Sequence, residues 1–222
     1  MPQVHQLWLR PLNDEKVPDV YQCYHEGKWQ ALDGYKLWRT DDCLNLLNDH
    51  YPHYRAIWDR MTSWIERADL MRYVIVYHYG GLYVDLDVGF IQDFRAPVVD
   101  YILYPEWLDR KDQPLPTCYS NMLFYCREPQ SLLMLSVLMA IMDAYSDLET
   151  HFTTIEEQVV KRRLKIGEKL YYTTGPRMFT MVYEDLNVDP LQTRILGYHA
   201  VQRHSVAFWK HELQSVRDSY DI

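Results

Sequence analysis

The sequence predicts an α/β fold, and three observations lead to this expectation. Short β-prone runs at residues 4–9, 35–38 and 82–84 alternate with longer segments whose apolar residues recur every three or four positions, as in helices. Hydrophobic residues make up 48% of the chain and charged residues 24%, an ordinary globular balance. A length of 222 residues suits one domain with a sizeable core, or one domain with a small helical addition.

The first part of the chain is predicted to contain two strands and three helices. Pro11 stops the first strand, Pro18 suits the first turn of a helix, and Asp41 or Asp42 caps the second helix. In chain order the strand, helix, strand and two further helices are expected at residues 4–9, 18–30, 35–38, 42–49 and 53–64.

The remainder continues the alternation of helices and strands. The segment at 130–145 is apolar nearly all round, so we expect a buried helix. Residues 118–126 form one strand or one arm of a hairpin, and shorter strands are expected at 101–104 and 194–198.

The pattern at the centre of the chain predicts a helix, a glycine turn and a short strand that ends in carboxylates. On the helix, Asp69 and Arg72 are three residues apart and therefore lie side by side. Gly80 and Gly81 end this helix, and we expect at least one of them to adopt a positive φ. The strand at 82–84 follows directly.

Two carboxylates stand where this strand gives way to a loop. Asp85 and Asp87 are two residues apart, and such a pair can hold a hard divalent cation such as Mg²⁺ or Mn²⁺ against phosphates. On an ideal strand the two side chains would point to opposite faces. We therefore expect Asp87 to bind the metal directly, and Asp85 to reach it through water or to contact a sugar or ribose hydroxyl.

Composition argues against several classes of partner. A formal net charge of −8 argues against a nucleic-acid partner and against an anionic membrane partner, because neither would be attracted to an acidic surface. The four cysteines follow no zinc or C-x-x-C spacing, so we expect buried thiols, with a disulfide between Cys118 and Cys126 as the alternative.

The spacing of residues around the two carboxylates resembles the DXD sugar-binding region of glycosyltransferase family 32. This family includes outer-chain α-mannosyltransferases, bacterial polysaccharide transferases and, distantly, clostridial glucosylating toxins. The matching residues are Arg67-Ala68-Asp69, Arg72-Tyr73, Tyr79-Gly80-Gly81, Tyr83 and Asp85-Leu86-Asp87.

The resemblance implies a GT-A fold, with a Rossmann-like mixed sheet flanked by helices, over a single domain at residues 1–222. It further implies a nucleoside-diphosphate-sugar donor, Mn²⁺ or Mg²⁺ as cofactor, and transfer to a hydroxyl of a glycan or other acceptor with retention at the anomeric carbon. A UDP-sugar is favoured over GDP-mannose as donor.

The resemblance also implies roles for residues in the first half of the chain. Trp8 would stack on the nucleotide base, and the backbone near Leu7 would meet the edge of the base. Asp69 would bind ribose or sugar hydroxyls, and Arg72 would reach the sugar or diphosphate.

The second half contributes further residues by the same resemblance. Asn121 would contact the donor sugar, and Thr174 would cap a helix near the acceptor side and offer its hydroxyl. In the tail, His204 would complete the metal shell, with His199 as the alternative. The resemblance departs from the family pattern at Arg203 and Phe208, so Arg203 is expected on the diphosphate; Trp209 would cover the diphosphate or sugar.

Two other functions compete with glycosyl transfer. A nucleotidyltransferase or phosphohydrolase uses similar carboxylates, but often needs a further acidic cluster for a second metal. A non-catalytic nucleotide-sugar-binding protein is the third possibility, and the presence of all four charged residues of the motif argues against it.

The sequence contains neither a signal-peptide pattern nor an apolar stretch of the ~18 residues that a membrane-spanning helix needs. We therefore expect a cytoplasmic protein without a membrane span.

Overall fold

A six-stranded mixed sheet forms the centre of the protein in the computed structural model, which describes residues 3–10, 16–90, 98–106, 118–148, 150–151 and 169–196. The strands are β1 (Val4–Leu7), β2 (Tyr35–Trp38), β3 (Gly81–Val84), β4 (Tyr101–Glu106), β5 (Cys118–Cys126) and β6 (Thr193–Ile195). Their order across the sheet is β2-β1-β3-β5-β4-β6. Strand β1 is parallel to β2 and β3, β5 is antiparallel to β3 and β4, and β6 is parallel to β4.

Seven α-helices with described bounds and one 3₁₀ helix (Pro190–Gln192) connect these strands. The helices are α1 (Gln22–His25), α2 (Thr40–His50), α3 (Pro52–Arg60), α4 (Trp64–Tyr79), α5 (Leu132–Ser146), α6 (Lys169–Thr173) and α7 (Pro176–Asp185). The predicted α/β class and the GT-A arrangement of a mixed sheet flanked by helices are confirmed. The single domain over residues 1–222 stays a prediction.

Two of the predicted helices are wrong in their extent. The helix expected at 18–30 is reduced to the four residues of α1, because the chain turns at Gly27, whose φ of 69° is incompatible with a continuing helix. The helix expected at 53–64 ends at Arg60, because Ser63 starts the next helix as its N-cap.

The larger hydrophobic core lies on the face of the sheet covered by α2, α3, α4, α5 and α7. Its centre is a group of aromatic rings in which Tyr73 stacks on Phe179 at 5.8 Å and Phe124 lies 5.4 Å from Phe179. A smaller core around Trp29, Val84 and Tyr125 covers the opposite face. Tyr73 thus joins α4 to β5 and α7, the three elements that supply the site described below.

Helix α5 is not buried all round, which corrects the prediction. Leu133 and Val137 pack into the larger core, but Leu132 is 61% exposed and Met139 is 49% exposed on the outer face. The apolar sequence conceals the difference between the two faces, because both carry aliphatic residues. No described helix has the length and apolar content that crossing a bilayer requires.

All four cysteines are buried thiols, as expected, and none takes part in a disulfide. The alternative pairing of Cys118 with Cys126 is wrong, because the two residues lie at opposite ends of the single strand β5. Eight residue steps along a strand separate them by roughly 25 Å, whereas a disulfide needs Cα atoms within about 7 Å.

Candidate functional site

The start of α4 is held by a capping box. The Ser63 hydroxyl accepts from the Glu66 backbone N–H at 3.2 Å, and Glu66 Oε2 accepts from the Ser63 N–H at 2.9 Å. Tyr145 of α5 donates its hydroxyl to Glu66 Oε1 at 2.5 Å. These contacts fix the first turn of the helix one turn before Asp69.

The end of α4 turns sharply into β3 through the two glycines. Gly80 and Gly81 have φ values of 67° and 89°, which confirms the predicted positive φ. A Cβ atom on Gly81 would lie 2.4 Å from the carbonyl oxygen of Gln3, so a side chain does not fit there. Strand β3 can therefore approach β1 closely.

His5 of β1 secures this turn. Its Nδ1 accepts from Trp38 Nε1 at 3.2 Å, so its Nε2 carries the proton that is donated to the Gly80 carbonyl at 3.0 Å. Burial lowers the pKa of His5 to about 4, and the ring is therefore neutral near pH 7. The His5 ring joins β1 and β2 to the end of α4.

The site lies where the order of the sheet reverses. From β1 the chain passes to β2 on one side, and then to β3 on the other side of β1. The carboxyl ends of β1 and β3 consequently border a crevice of the kind in which open α/β sheets bind ligands. Trp8 follows β1 and Asp85 follows β3, so the structure places these two predicted residues at the same edge of the sheet.

Asp69 is the hub of a buried polar network at this edge. Its Oδ1 accepts from Asn121 Nδ2 at 2.9 Å and lies 3.2 Å from Arg72 Nη2. Its Oδ2 accepts from the Thr174 hydroxyl at 2.9 Å. Three residues predicted as site residues, from α4, β5 and the turn before α7, thus meet on one carboxylate that is only 4% exposed.

Burial raises the pKa of Asp69 to about 6, although the charge of Arg72 and the hydrogen bonds from Thr174 and Asn121 oppose this effect. Arg72 responds in the opposite sense. Burial alone would lower the pKa of its guanidinium, but the negative charges of Asp85 and Asp69 outweigh that effect and raise it. Arg72 therefore stays protonated across the physiological range.

Arg72 connects the hub to the carboxylate loop. Its Nη1 donates to the Asn121 carbonyl at 2.7 Å and lies 3.4 Å from Asp85 Oδ1, and its guanidinium lies 4.9 Å from the centre of the Tyr83 ring. Tyr83 also donates its hydroxyl to Asp85 Oδ1 at 2.5 Å. The predicted proximity of Asp69 and Arg72 is confirmed, and Asp85 is part of the same network.

A bulge in β5 makes the contacts of Asn121 possible. Leu103 and Tyr104 are consecutive on β4, but their partners on β5 are Phe124 and Ser120, so three residues of β5 including Asn121 have no partner on β4. The Asn121 carbonyl therefore points to Arg72 instead of to β4, and its side chain reaches Asp69. Bulges commonly re-aim side chains beside active sites in this way.

The carboxylates occupy a β-turn from Asp85 to Val88, which the Val88 N–H closes on the Asp85 carbonyl at 3.2 Å. Both described side-chain contacts of Asp85 fall on its Oδ1, and the side chain is 30% exposed, which leaves Oδ2 for a ligand. Asp87 is 9% exposed. Carboxylate oxygens of this kind suit Mg²⁺ or Mn²⁺, which complete their coordination with phosphate oxygens and water.

Trp8 and Leu7 lie at the carboxyl end of β1, where the resemblance expects the nucleotide base. The Trp8 ring is buried against Val17 and Leu86, and the guanidinium of Arg10 lies 4.2 Å from its centre. No described residue accepts a hydrogen bond from Trp8 Nε1, which is buried. Base stacking by Trp8 and the contact near Leu7 stay predictions.

Thr174 does not cap α7, which corrects one expectation. The N-cap is Gly175, and the Thr174 hydroxyl donates to Asp69 instead. The capping signal was misread by one residue, and a Cβ atom on the N-cap residue Gly175 would lie 2.9 Å from the Tyr171 Cα atom, so a side chain does not fit there. The remaining predicted residues, His199, Arg203, His204 and Trp209, lie outside the described residues.

Sequence reasoning missed two buried polar residues beside the carboxylate turn. Gln6 of β1 is fully buried and donates from Nε2 to the Asp85 carbonyl at 3.3 Å. Trp29 donates from Nε1 to the Val88 carbonyl at 3.0 Å. A glutamine inside a short β-prone run was the available signal for Gln6, whereas nothing in the sequence connects Trp29 with the turn.

Comparison with known proteins places this site in a recognised sequence region. Residues 15–111, a little under half of the chain, match the family described as glycosyltransferase sugar-binding region containing DXD motif. This segment contains Asp69, Arg72, Asp85 and Asp87, whereas Asn121 and Thr174 lie beyond it.

Several curated yeast proteins are similar in sequence. Inositol phosphoceramide mannosyltransferase 2 of Schizosaccharomyces pombe is 31% identical over 114 residues, 49% of this chain and 30% of that protein. Inositol phosphoceramide mannosyltransferase 3 of the same organism is 39% identical over 48% of this chain and 28% of its own length. Mannosyl phosphorylinositol ceramide synthase SUR1 of Saccharomyces cerevisiae is 32% identical over 45% of this chain. The matches span less than a third of the length of these relatives.

Solved structures share the fold at much lower sequence identity. PaToxG glycosyltransferase superposes with a TM-score of 0.53 and 12% identity, covering 84% of this chain and 70% of that one. The UDP-bound glycosyltransferase domain from the YGT toxin has a TM-score of 0.50 and 10% identity, covering 79% of this chain and 55% of that one. The sequence match, the mannosyltransferase relatives and the GT-A fold thus agree, and this chain is similar in sequence and in fold to glycosyltransferases whose sugar-binding region contains the DXD motif.

Proposed function

We propose that this protein is a glycosyltransferase that transfers mannose from a nucleoside-diphosphate donor to a hydroxyl acceptor, and that the polar network around Asp69 and Arg72 binds the donor. The observation that carries the proposal is the convergence of α4, β3, β5 and the turn before α7 on one buried network beside the switch point of the sheet. The Asp85 side chain lies at the border of this network, is 30% exposed, and makes its described contacts through Oδ1.

The sugar is proposed from the sequence relatives. They are 31–39% identical over nearly half of this chain and are named mannosyltransferases or a mannosyl synthase. The UDP-bound neighbour shares only 10% identity, and supports the fold without naming a donor. On the basis of these names we propose GDP-mannose as the donor, instead of the UDP-sugar that the sequence alone favours. The names of the relatives also make an inositol hydroxyl the first acceptor to test.

Asp85, through Oδ2, and Asp87 would hold Mn²⁺ or Mg²⁺. A cation bound there would neutralise charge on the leaving nucleoside diphosphate. Arg72 adds a fixed positive charge beside the same carboxylate. The Asp69 carboxylate accepts from Asn121 and lies in ion-pair distance of Arg72, and so holds both side chains in place. We also propose that the donor sugar is contacted directly by Asp69, Asn121 and Thr174.

The resemblance implies retention, and the carboxylates available at the site favour one of the two retaining mechanisms. Asp69 is buried with both oxygens engaged, and Asp85 and Asp87 are assigned to the cation, so within the described part of the site no carboxylate is left for attack on the far face of the sugar. We therefore propose front-face transfer. The bond from the anomeric carbon to phosphate breaks with its electron pair on the phosphate, the acceptor oxygen bonds to that carbon on the same face, and the hydroxyl proton passes to the departing phosphate.

A thermal-shift screen tests the donor site. GDP, UDP, GDP-mannose and UDP-sugars are added to the protein with and without Mn²⁺, since a ligand that binds the native state raises the melting temperature. We expect the largest shift with GDP-mannose plus Mn²⁺, and its loss in Asp87→Asn but not in Asp59→Asn, which changes an exposed carboxylate on α3.

Product analysis then separates the possible reactions. Incubation with GDP-mannose and an inositol acceptor should give an α-linked mannoside, identified by the anomeric coupling in its NMR spectrum. Release of free mannose or phosphate without transfer would indicate a hydrolase. A covalent mannosyl-enzyme trapped in mass spectrometry would contradict front-face transfer, and no shift with any nucleotide would contradict the donor site itself.

A further inference from the structure

Gln6 is a fully buried glutamine on β1 whose amide reaches the carboxylate turn. The Tyr35 hydroxyl of β2 donates to its Oε1 at 3.1 Å, and its Nε2 donates to the Asp85 carbonyl at 3.3 Å. The orientation of the amide follows from its partners, because the opposite orientation would place Oε1 against the Asp85 carbonyl oxygen. The two contacts form a chain from Tyr35 through Gln6 to Asp85.

The turn that Gln6 reaches is also held from its other sides. The Asp85 carbonyl accepts a second hydrogen bond from the Val88 N–H at 3.2 Å, and the Asp85 N–H donates to the Met122 carbonyl at 2.8 Å. Trp29 Nε1 donates to the Val88 carbonyl at 3.0 Å. Gln6 therefore supplies the contact from β1, and β5 and Trp29 supply the others.

Packing alone does not account for a glutamine at this position. Burying a side-chain amide costs free energy unless both of its ends are hydrogen-bonded, whereas a Leu or Met would fill the same space without that requirement. The Gln6 amide donates to the Asp85 carbonyl, which already accepts a hydrogen bond from the Val88 N–H. What the second donor adds is a defined orientation of the peptide that carries the Asp85 side chain.

We propose that Gln6, supported by Tyr35, is a positioning residue that sets the affinity of the Asp85–Asp87 turn for a divalent cation. The inference rests on the proposed function, since it needs the turn to bind Mn²⁺ or Mg²⁺. Groups that orient metal ligands from behind typically change metal affinity 10–100-fold when they are removed. Gln6 does so through the backbone of the turn, and Tyr35 does so through the Gln6 amide.

Three variants test this role. Gln6→Met keeps the length of the side chain but removes the donor, and Tyr35→Phe removes the hydroxyl that donates to Gln6 Oε1 and also interacts with Gln30. Tyr51→Phe is the matched control, because it removes a comparable hydrogen bond, between the Tyr51 hydroxyl and His78 Nδ1 at 2.9 Å, on residues outside the site. The half-saturating Mn²⁺ concentration is measured by calorimetry at a fixed, saturating concentration of GDP.

We expect the half-saturating Mn²⁺ concentration to rise about tenfold in Gln6→Met and about threefold in Tyr35→Phe, with no change in Tyr51→Phe. At saturating Mn²⁺, kcat should return to within about twofold of wild type, since the residues that contact substrate are intact. An unchanged Mn²⁺ requirement in folded Gln6→Met and Tyr35→Phe would overturn the proposal.

Amide hydrogen exchange gives a readout that needs no ligand. The peptide covering residues 82–90 should exchange faster in Gln6→Met and Tyr35→Phe than in wild type or Tyr51→Phe, because the turn loses one of its supports. Exchange of this peptide at the wild-type rate would also overturn the proposal. A wild-type protein whose nucleotide binding ignores Mn²⁺ would overturn the proposed function and this role with it, whereas a Mn²⁺-dependent wild type with unaffected variants would overturn the role of Gln6 alone.

Discussion

Asp69 shows how one residue can serve the site at a cost to stability. Its carboxylate organises Arg72, Asn121 and Thr174, but it does so almost out of contact with water. Burial disfavours the charged form and raises its pKa from the ordinary value of 3.8 to about 6. The negative charge of Asp69, which the site needs to hold Arg72, is therefore unfavourable for the stability of the folded protein.

The raised pKa of Asp69 predicts that kcat/KM declines on the acidic side of the pH profile. As the pH falls through about 6, the carboxylate takes up a proton, loses its ion pair with Arg72 and no longer accepts from both partners in the same way. We expect kcat/KM to decline below pH 6 in wild type, and this limb to be absent in the weakly active Asp69→Asn. A limb near pH 6 that persists in Asp69→Asn would assign it to another group.

The same pKa predicts an opposite trend for stability. Between pH 3.8 and about 6 the folded protein retains a proton at Asp69 that the unfolded chain has released, so this residue's contribution to stability falls as the pH rises through that window. The full difference corresponds to at most about 3 kcal/mol.

Asp69→Asn should accordingly gain free energy of unfolding at pH 8 relative to pH 5, as measured by urea denaturation. Asp59→Asn, on an exposed pair with Arg55, should show no such pH-dependent gain and serves as the control. An equal effect of Asp69→Asn at both pH values would show that Asp69 ionises normally in the folded protein.

At the scale of elements, the turn between α4 and β3 determines where the carboxylates arrive. Gly80 lies against the backbone of Arg127 and Glu128, and Gly81 lies against the backbone of Gln3. Two glycines in succession were a readable sign of a helix end with positive φ, and the structure agrees. The close approach to Gln3 was not readable, because it depends on how β1 and β3 come together.

Substitutions at Gly81 and Gly27 separate the two reasons for a glycine, a positive φ and the lack of space for a side chain. Gly81→Ala combines a φ of 89° with a Cβ placed 2.4 Å from the Gln3 carbonyl oxygen, and we expect it to cost more than about 3 kcal/mol or to prevent folding. Gly27→Ala is the matched variant: its φ is 69°, but its Cβ would meet only the Gln30 side chain at 3.3 Å. It should cost about 1 kcal/mol. Similar costs for both variants in urea denaturation would show that backbone strain alone decides.

The strand β5 illustrates a limit of element prediction. Its bounds at Cys118 and Cys126 are those expected from the sequence. The bulge that turns Asn121 towards Asp69 and Arg72 was not foreseen, because a bulge is defined by the register with β4 and the sequence carries no marker of that register. Asn121 was assigned to the site by resemblance alone.

For the molecule as a whole, the two sheet faces enclose the reactive side chains that the site does not use. Cys43 and Cys126 lie in the larger core, burial raises the pKa of Cys43, and burial raises that of Cys126 to about 12. Thiols react as thiolates, so these two are protected both by pKa and by lack of access. Cys23 and Cys118 are buried as well.

Thiol titration tests this packing over the whole chain. In the native protein at pH 8 we expect fewer than one of the four cysteines to react with a disulfide reagent within an hour, and all four to react in concentrated guanidinium chloride. Rapid reaction of two or more thiols in the native state would contradict the enclosed cores. The Gly81→Ala variant, if it folds, should react faster than wild type because it opens more often.

The α/β class, most strand positions, the glycine turn and the neighbouring placement of Asp69 and Arg72 could all be predicted from the amino-acid sequence. All of these follow from interactions within a few residues along the chain: periodicity, φ preferences and the spacing of a helix. The resemblance of the pattern around Asp85 and Asp87 to family 32 was equally local, and from it the sequence predicts a glycosyltransferase.

The contacts between residues distant in the chain were not predictable from the sequence and are known from the fold. Asp69 contacts Thr174 across 105 positions of the chain, and Gln6 reaches the Asp85 carbonyl across 79. These contacts depend on strand order, on the bulge in β5 and on which face of α5 is covered, and no local preference encodes them. The carboxylates can therefore be identified from the sequence pattern. The groups that hold them in position are brought together by folding.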